Sequence, residues 1–412
     1  MPKNWKTYKL GDLIKIKHGY AFKGDFFTNI INENVLLTPG NFHATGGIKF
    51  NWEKQKFYEG TVPKDYILNK NDLILALTDL TQSCDILGSP AVIKDSNYYY
   101  LHNQRLGLVN ILSGELDKIF LFYYFNHSNF RNRVIATKTG STVSHTAPER
   151  IYECELALPP LPEQRAIASI LSALDDKIEL NLQMNKTLEE MAMALYKHWF
   201  VDFGPFKDGE FVESELGMIP KGWEVKKLGE VFDTTSGGTP SRSKEDYYLN
   251  GEIPWIKSKE LYGDFVIEAE EKISELGLKN SSAKFIQKGS ILLAMYGNTV
   301  GVSSILSIDA ACNQAICAIS EKNLSNIYLY LFLKINKSAI LNLAVGSAQQ
   351  NISQQIIKQI QILVPPKDNK CFNVIELYYK KIEQNLIENK VLTVKRDSLL
   401  PKLISGEIIL KK

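Results

Sequence analysis

Residues 177–186 read KIELNLQMNK and residues 381–390 read KIEQNLIENK, so one stretch of sequence returns after an offset of 204 residues. Around both copies, apolar residues recur at alternating spacings of four and three, which predicts two long helices with a coiled-coil seam. Two Asn occupy equivalent seam positions in each helix, and a polar seam residue costs stability unless it meets a partner. The helices are therefore predicted to pair with each other through Ile178, Asn181, Asn185, Leu188, Ile382, Asn385, Asn389 and Leu392. Burial of each helix on its own neighbouring domain is the alternative.

The repeat extends outward from these helices over nearly the whole chain. The run WKTYKLG (5–11) returns as WEVKKLG (223–229) at an offset of 218 residues, and the pair NQ (103–104) returns at 313–314 at an offset of 210 residues. The order of these matches is the same in both copies, and the offset shrinks along the chain. The chain is therefore predicted to contain two copies of one module, with shorter loops in the second copy.

Each copy begins with a mixed segment and ends with a long helix. Short Val-, Ile- and Leu-rich strands, punctuated by Gly, Pro, Asn and Asp, alternate there with one aromatic-rich helix. The predicted fold class is α+β, with two repeated mixed α/β domains separated by two long antiparallel coiled-coil helices. The predicted boundaries are 1–160 for the first mixed domain, 161–203 for the first helix, 204–222 for a linker, 223–366 for the second mixed domain, and 367–412 for the second helix and C-terminal tail.

Composition excludes several classes of protein. Hydrophobic residues at 44% and charged residues at 23% are ordinary for a globular chain and argue against disorder. No apolar run approaches the eighteen residues that a spanning helix needs, and the five Cys contain no CxxC pair, so we expect neither a membrane protein nor a disulfide framework. A cytoplasmic location is expected. The net charge of +2 permits local binding of a polyanion but does not require it.

Several motifs resemble the specificity (S) subunit of Type I restriction–modification systems. They are LPPLPEQR (158–165), LYKHWFVDF (195–203), ESELGMIPKGWE (213–224), SGGTP (236–240) with IPW (253–255), and HGYAFK (18–23). The resemblance implies that each mixed domain is a target-recognition domain that reads one half of a split site in double-stranded DNA. It also implies that the helices set the spacing and dock two methyltransferase (M) subunits, and that restriction (R) subunits join for cleavage. The second Pro-Pro pair departs from the pattern, since KDNK (367–370) follows it.

Catalytic motifs are not found in the sequence. Both Pro-Pro pairs lack the preceding Asn or Asp and the following aromatic residue that an adenine methyltransferase needs, and neither GxGxxG nor GxxxxGK[ST] occurs. The six His contain no HExxH, and Cys312 and Cys317 lack the spacing of metal ligands. The chain is therefore predicted to be no enzyme and to bind no metal. The resemblance places S-adenosylmethionine, ATP and Mg²⁺ in the partner subunits.

DNA readout requires loops that bring Arg, Lys, amide and hydroxyl side chains to base edges and phosphates. Three loops in each copy have this composition: the first follows the opening strand, the second follows the strand that contains Ala76 or Ala294, and the third follows the aromatic-rich helix. A solvated turn is the alternative for every residue in these loops. Arg105, which follows the Asn-Gln pair, is a separate candidate, and bracing of a sheet is its alternative. The DNA-binding candidates of the first copy are His18, Tyr20, Lys23, Thr78, Thr81, Gln82, Arg105, Lys138, Thr139, Ser141, Thr142 and His145. Those of the second copy are Ser236, Thr239, Arg242, Tyr296, Asn298, Thr299, Ser347, Gln349, Gln350 and Asn351.

Two other functions compete with a non-catalytic DNA-specificity subunit. One is a coiled-coil adaptor whose mixed domains bind protein, which the acidic balance of residues 206–360 favours. The other is a DNA methyltransferase or nuclease whose motifs have diverged beyond recognition.

Overall fold

Two long helices span Leu161–Tyr196 and Cys371–Ile404 in the computed structural model, which describes residues 2, 4–344, 350–366 and 371–410. The first continues as a π-helical turn over Lys197–Val201, close to its predicted end. The chain divides into two compact units, residues 1–177 with 391–412, and residues 178–390. Each unit therefore contains one mixed domain and a part of both helices.

The first long helix is fastened to the first mixed domain at Gln164, which is fully buried. Its Nε2 atom donates to the carbonyl oxygens of Glu115 and Pro159, both at 2.8 Å. Its Oε1 atom accepts from the Asp117 N–H at 2.8 Å, so the buried amide has partners on both of its polar atoms. The corresponding residues of the second copy, 367–370, lie outside the described part of the chain.

The first mixed domain contains two main sheets. One has the strand order Ile14–His18, Leu106–Ile111, Leu73–Ala76, Pro90–Val92, and the other has the order Phe27–Thr28, Phe57–Tyr58, Asn34–Leu36, Tyr99–Leu101, Ile67–Leu68. Two small ribbons pair Lys6–Lys9 with Glu155–Leu158 and Thr78–Asp79 with Ser144–His145. The α-helices of this domain are Leu10–Leu13, Lys118–Asn126, Ser128–Ala136 and Pro148–Tyr152.

The second mixed domain repeats this plan. One sheet has the strand order Phe232–Ser236, Ile316–Glu321, Ile291–Ala294, Ser303–Leu306, Phe265–Val266, and the other has the order Glu271–Ile273, Ile253–Ile256, Ala310–Cys312, Phe285–Ile286. A ribbon pairs Glu224–Lys227 with Gln361–Val364, and a hairpin pairs Phe211–Ser214 with Gly217–Pro220. The α-helices are Leu228–Val231, Glu275–Lys279, Asn326–Ile335, Lys337–Asn342 and Gln354–Gln359. The predicted α+β class, with a repeated mixed domain and two long helices, is confirmed.

One strand in each domain is buried on both faces. Leu73 and Leu75 pack into the apolar cluster that contains the helix Lys118–Asn126, whereas Ile74 and Ala76 pack into a second cluster on the opposite face of the sheet. Successive side chains of a strand point to opposite faces, so a run of four apolar residues supplies both layers. The strand Ile291–Ala294 of the second domain is divided between two clusters in the same way.

Within residues 178–390, the two helix segments meet through the four seam asparagines. The Asn181 Nδ2 atom donates to Asn389 Oδ1 at 2.8 Å, and the Asn385 Nδ2 atom donates to Asn185 Oδ1 at 2.7 Å. Asn181 also donates to Glu388 Oε2 at 2.8 Å. The lower number on one helix meets the higher number on the other, so the segments run antiparallel. We call these two pairs the asparagine rungs.

The ends of the helices also pack on the mixed domains. Ile167 and Leu171 join the core of the first unit, and Ala192, Tyr196 and Ile375 join the core of the second unit. Helix pairing and burial on the neighbouring domain, which the sequence poses as alternatives, therefore both occur at different positions along the helices.

Candidate nucleic-acid interface

Three strand ends of the first domain meet at one edge of its sheet. His18, the last residue of its strand, pairs with Gly107, and Leu106 pairs with Ala76 across antiparallel neighbours. Because the neighbouring strands are antiparallel, two chain exits and one chain entry lie at the same edge. We call this the first sheet edge, and the candidate loops after His18 and Ala76 start there.

The second and third candidate loops of the first copy are joined at this edge. Thr78 pairs with His145 in a short ribbon, and Thr78 Oγ1 is hydrogen-bonded to His145 Nδ1 at 3.0 Å. His145 in turn exchanges two backbone hydrogen bonds with Thr139, at 2.8 and 2.9 Å. The sequence predicted these three residues as candidates without indicating that they are in contact.

Lys138 lies against a buried thiol rather than pointing only to solvent. Its Nζ atom is 2.8 Å from Cys84 Sγ and 3.1 Å from Ser144 Oγ, and it remains half-exposed. Cys84 itself adopts a left-handed backbone conformation with φ of 56°, in the loop that carries Thr81 and Gln82. These contacts join the second and third loops beneath the surface. The sequence alone gives no indication that Lys138 and Cys84 are in contact.

The remaining candidates of the first copy are mostly exposed. Thr81 donates from its N–H and its hydroxyl to Asp79 Oδ1, at 2.7 and 2.8 Å, so it braces its own loop. Tyr20 forms a bridge with Asn103 and rests its ring on Phe22, with ring centroids 5.1 Å apart. The exposed candidates of the first copy are His18, Tyr20, Lys23, Thr81, Gln82, Arg105, Thr139, Ser141, Thr142 and His145, whereas Thr78 is buried.

The second domain presents an equivalent edge. Ser236 pairs with Cys317, and Ala294 pairs with Ile316, so the ends of two strands again lie beside the start of the strand between them. Ser236 Oγ donates to Gln354 Oε1 at 2.9 Å. We call this the second sheet edge.

Its loops are also joined to one another. Thr239 donates its hydroxyl hydrogen to Gln314, which belongs to the repeated Asn-Gln pair. Tyr296 forms a bridge with Asn351, and the Gly297 N–H donates to the Gln350 carbonyl at 3.0 Å. Exposed donors and acceptors at this edge include Asn298, Gln350 and Asn351. The candidates Ser347 and Gln349 lie outside the described residues.

Arg242 is held in place by aromatic rings and a carboxylate. Its guanidinium carbon lies 4.3 Å from the Tyr248 ring centroid and 5.1 Å from that of Trp255, and Nη2 is 2.7 Å from Glu271 Oε2. The Lys257 ammonium, 2.7 Å from Glu271 Oε1, and then Arg242 hold the pKa of the Glu271 carboxyl below its ordinary value. The Arg242 side chain is still 55% exposed, so a preordered guanidinium faces solvent.

Sequence reasoning missed Gln354, Cys84 and Glu271, which hold candidate side chains in place. Their contacts join residues that are 29 to 118 positions apart in the sequence. No periodic spacing of residue types predicts contacts over such separations. Gln314 is the exception, because the Asn-Gln pair occurs in both copies.

The described part of the chain offers neither a metal centre nor a membrane-spanning helix. Within it, no three or more His, Cys, Asp or Glu side chains are grouped so that they could hold a metal ion. None of the helices formed by the described residues has the length and apolar character needed to cross a membrane.

The chain contains two mixed domains of one topology. Each has a polar sheet edge and is followed by a helix with an asparagine seam, and this arrangement defines a tandem-domain specificity protein. The family model described as Type I restriction modification DNA specificity domain matches the chain over residues 2–190 and 220–392. The chain therefore belongs to this family, as a DNA sequence-specificity subunit of a Type I restriction system.

Relatives of this family match over most of the chain. The MjaIX specificity subunit of Methanocaldococcus jannaschii is 32% identical over 70% of this chain and 68% of its own length. The HindI specificity subunit of Haemophilus influenzae is 27% identical over 98% of this chain and all of its own length. The crystal structure of the Type I S subunit from M. genitalium shares the fold, with a TM-score of 0.64 and 18% identity over 99% of this chain and 97% of that one.

Proposed function

We propose that the first and second sheet edges each read one half of a bipartite site in double-stranded DNA. The observation that carries the proposal is the equivalence of the two edges, because the same three loops converge at each of them. Both edges offer hydroxyl and amide groups with an exposed arginine nearby, and these groups hydrogen-bond to base edges and phosphates. The loops differ in sequence between the copies, so the two half-sites are expected to differ.

In this proposal residues 1–160 and 223–366 are the target-recognition domains, 161–203 and 367–412 are the spacer helices, and 204–222 is the linker. DNA, two M subunits and R subunits are the partners. Methylation and cleavage belong to those partners, together with S-adenosylmethionine, ATP and Mg²⁺, and the chain itself performs no catalysis. Its net charge of +2 supports this division of labour, because neutralisation of phosphates dominates affinity for DNA and this chain supplies little of it.

The test uses the full chain assembled with its M subunits. The complex methylates a library of random DNA, and sequencing of methylated adenines then reveals the recognised site. Arg105→Ala alters the first edge, Arg242→Ala alters the second edge, and Lys279→Ala changes an exposed lysine on the helix Glu275–Lys279 as a control.

We expect Arg105→Ala to relax only one half-site and Arg242→Ala only the other. An unchanged site for both variants would contradict the assignment of the edges. A complex that methylates without any sequence preference would contradict the proposed function itself.

A further inference from the structure

The helix pair is fastened by a half-buried ion pair in the first unit. Arg396 Nη1 lies 2.8 Å from Asp175 Oδ1, and Tyr123 Oη donates to Asp175 Oδ2 at 2.7 Å. Only 14% of the Arg396 side chain and 32% of the Asp175 side chain are exposed. A charge-assisted contact with so little solvent around it is poorly screened by salt.

The second unit has no charge at the equivalent positions. At the helix offset of 204 residues, Tyr379 corresponds to Asp175, and Ala192 corresponds to Arg396. Tyr379 is 1% exposed and packs edge-on against Tyr330, with ring centroids 5.6 Å apart, and Ala192 is fully buried in the same cluster. The position that is ionic in the first unit is therefore uncharged in the second.

A different ion pair fastens the second unit. Glu189 of the first long helix contacts Lys334 of the second mixed domain, and Lys334 Nζ also lies 2.8 Å from Asp264 Oδ1. The repeat equivalent of Glu189 is Thr393, which has no charge. Each unit thus depends on one charge that only the other copy's helix supplies.

Self-pairing of either helix would break one of these contacts. If the first helix paired with a copy of itself in the same register, Asp175 would face Ala192 and lose the guanidinium of Arg396. If the second helix did so, Lys334 would meet Thr393 and lose Glu189. Loss of one charged partner from a half-buried site is destabilising even though Asp175 keeps the Tyr123 hydroxyl and Lys334 keeps Asp264. The asparagine rungs, in contrast, would form equally well in every pairing.

We infer that these two ion pairs select the partner of each helix. The asparagine rungs define the register, and the Asp175–Arg396 and Glu189–Lys334 contacts define which helix is accepted. The surface of the first helix therefore fits the second helix better than it fits another copy of itself. This inference concerns assembly of the chain and does not depend on the proposed reading of DNA.

The test exchanges charges in the full-length chain. Asp175→Arg places two guanidinium groups opposite each other. Arg396 also pairs with Asp397 at 2.8 Å, so Arg396→Asp places a carboxylate opposite Asp175 and beside that of Asp397. When the two variants are co-expressed with different tags, Arg at 175 of one chain can meet Asp at 396 of the other. Native mass spectrometry should then detect a one-to-one heterodimer, enriched at least ten-fold over two differently tagged wild-type chains. The double variant Asp175→Arg/Arg396→Asp should restore the wild-type oligomeric state and thermal midpoint.

A matched control changes a charge without changing a buried contact. Glu190 lies on the same helix, is 68% exposed in its side chain and is 4.0 Å from Lys186, so Glu190→Lys should leave assembly unchanged. If a single variant is insoluble when expressed alone, recovery of soluble protein on co-expression is the readout. Single variants that behave like Glu190→Lys, or a double variant that is not restored, would overturn the inference.

Discussion

The asparagine rung of Asn181 and Asn389 allows a quantitative prediction. Asn181 is fully buried and Asn389 is 8% exposed, and their amide groups are 2.8 Å apart. Asn181→Ala leaves the side-chain oxygen of Asn389, Oδ1, without its hydrogen-bond donor inside the seam. A buried polar group that loses its partner costs about 1–3 kcal/mol, to which the lost packing of the side chain adds. We therefore expect each single substitution to destabilise the helix pair by about 2–3 kcal/mol.

The double variant Asn181→Ala/Asn389→Ala should cost less than the sum of the two single variants, because neither amide of the rung is then left facing a missing partner. The expected coupling energy is about 1–2 kcal/mol. Amide hydrogen exchange, followed by mass spectrometry on peptides from 178–190 and 382–392, measures the local free energy of opening without requiring the whole chain to unfold in one step.

Gln183→Ala is the control for helix propensity. Gln183 is exposed on the same helix, and its side chain donates to Glu179, one turn away. This variant should change the opening free energy by less than about 0.5 kcal/mol. Single effects at Asn181 and Asn389 that add without coupling would show that the rung contributes nothing as a pair.

Four further outcomes are expected. One heptad inserted between the rungs in each helix, after Gln183 and after Leu386, lengthens the pair by about 10 Å, so methylome sequencing should reveal the same half-sites with a spacer about three base pairs longer. Glu271→Gln removes the carboxylate that holds the guanidinium of Arg242, so the Arg242 side chain must be ordered when DNA binds. The rate of methylation, measured on DNA substrates that vary in the second half-site, should therefore fall about five-fold. A fragment of residues 1–207 should self-associate weakly through its rungs and, with M subunits, should methylate a palindromic split site. In this fragment Ala192→Arg gives Asp175 a guanidinium partner again, so analytical ultracentrifugation should show a dimer about ten-fold tighter. The isolated full chain should bind DNA weakly in a mobility shift, so nanomolar specific binding without M subunits would contradict its small net charge.

Periodicity explains which parts of the fold the sequence could predict. The spacing of apolar residues around Asn181 and Asn385 is a local signal, and it predicted two long helices, which the structure has at Leu161–Tyr196 and Cys371–Ile404. The repeat then predicted two equivalent domains, since matching runs in the same order require matching elements. The double burial of Leu73–Ala76 follows from four consecutive apolar residues.

The candidate interfaces were predictable only as separate loops. Each loop follows a strand, which is visible in the sequence, but the order of strands in the sheet decides which loops meet. The contact of Lys138 with Cys84, and that of Arg242 with Glu271, depend on packing between distant segments and leave no pattern in the chain. The helix ion pairs were missed for the same reason, because Asp175 and Arg396 are 221 residues apart.

Each mixed domain begins and ends on one two-stranded ribbon, Lys6–Lys9 with Glu155–Leu158 in the first copy and Glu224–Lys227 with Gln361–Val364 in the second. The chain therefore enters and leaves the domain at neighbouring points, and the ribbon is held by backbone hydrogen bonds that tolerate many side chains. In genetic terms, the domain is a segment that can be exchanged as a whole, because its two boundaries, the strands of the ribbon, are adjacent in space. A crossover in the codons of each ribbon strand exchanges everything between them, including all three loops of a sheet edge, and leaves the seam, its rungs and the selecting charges of the helices unaltered.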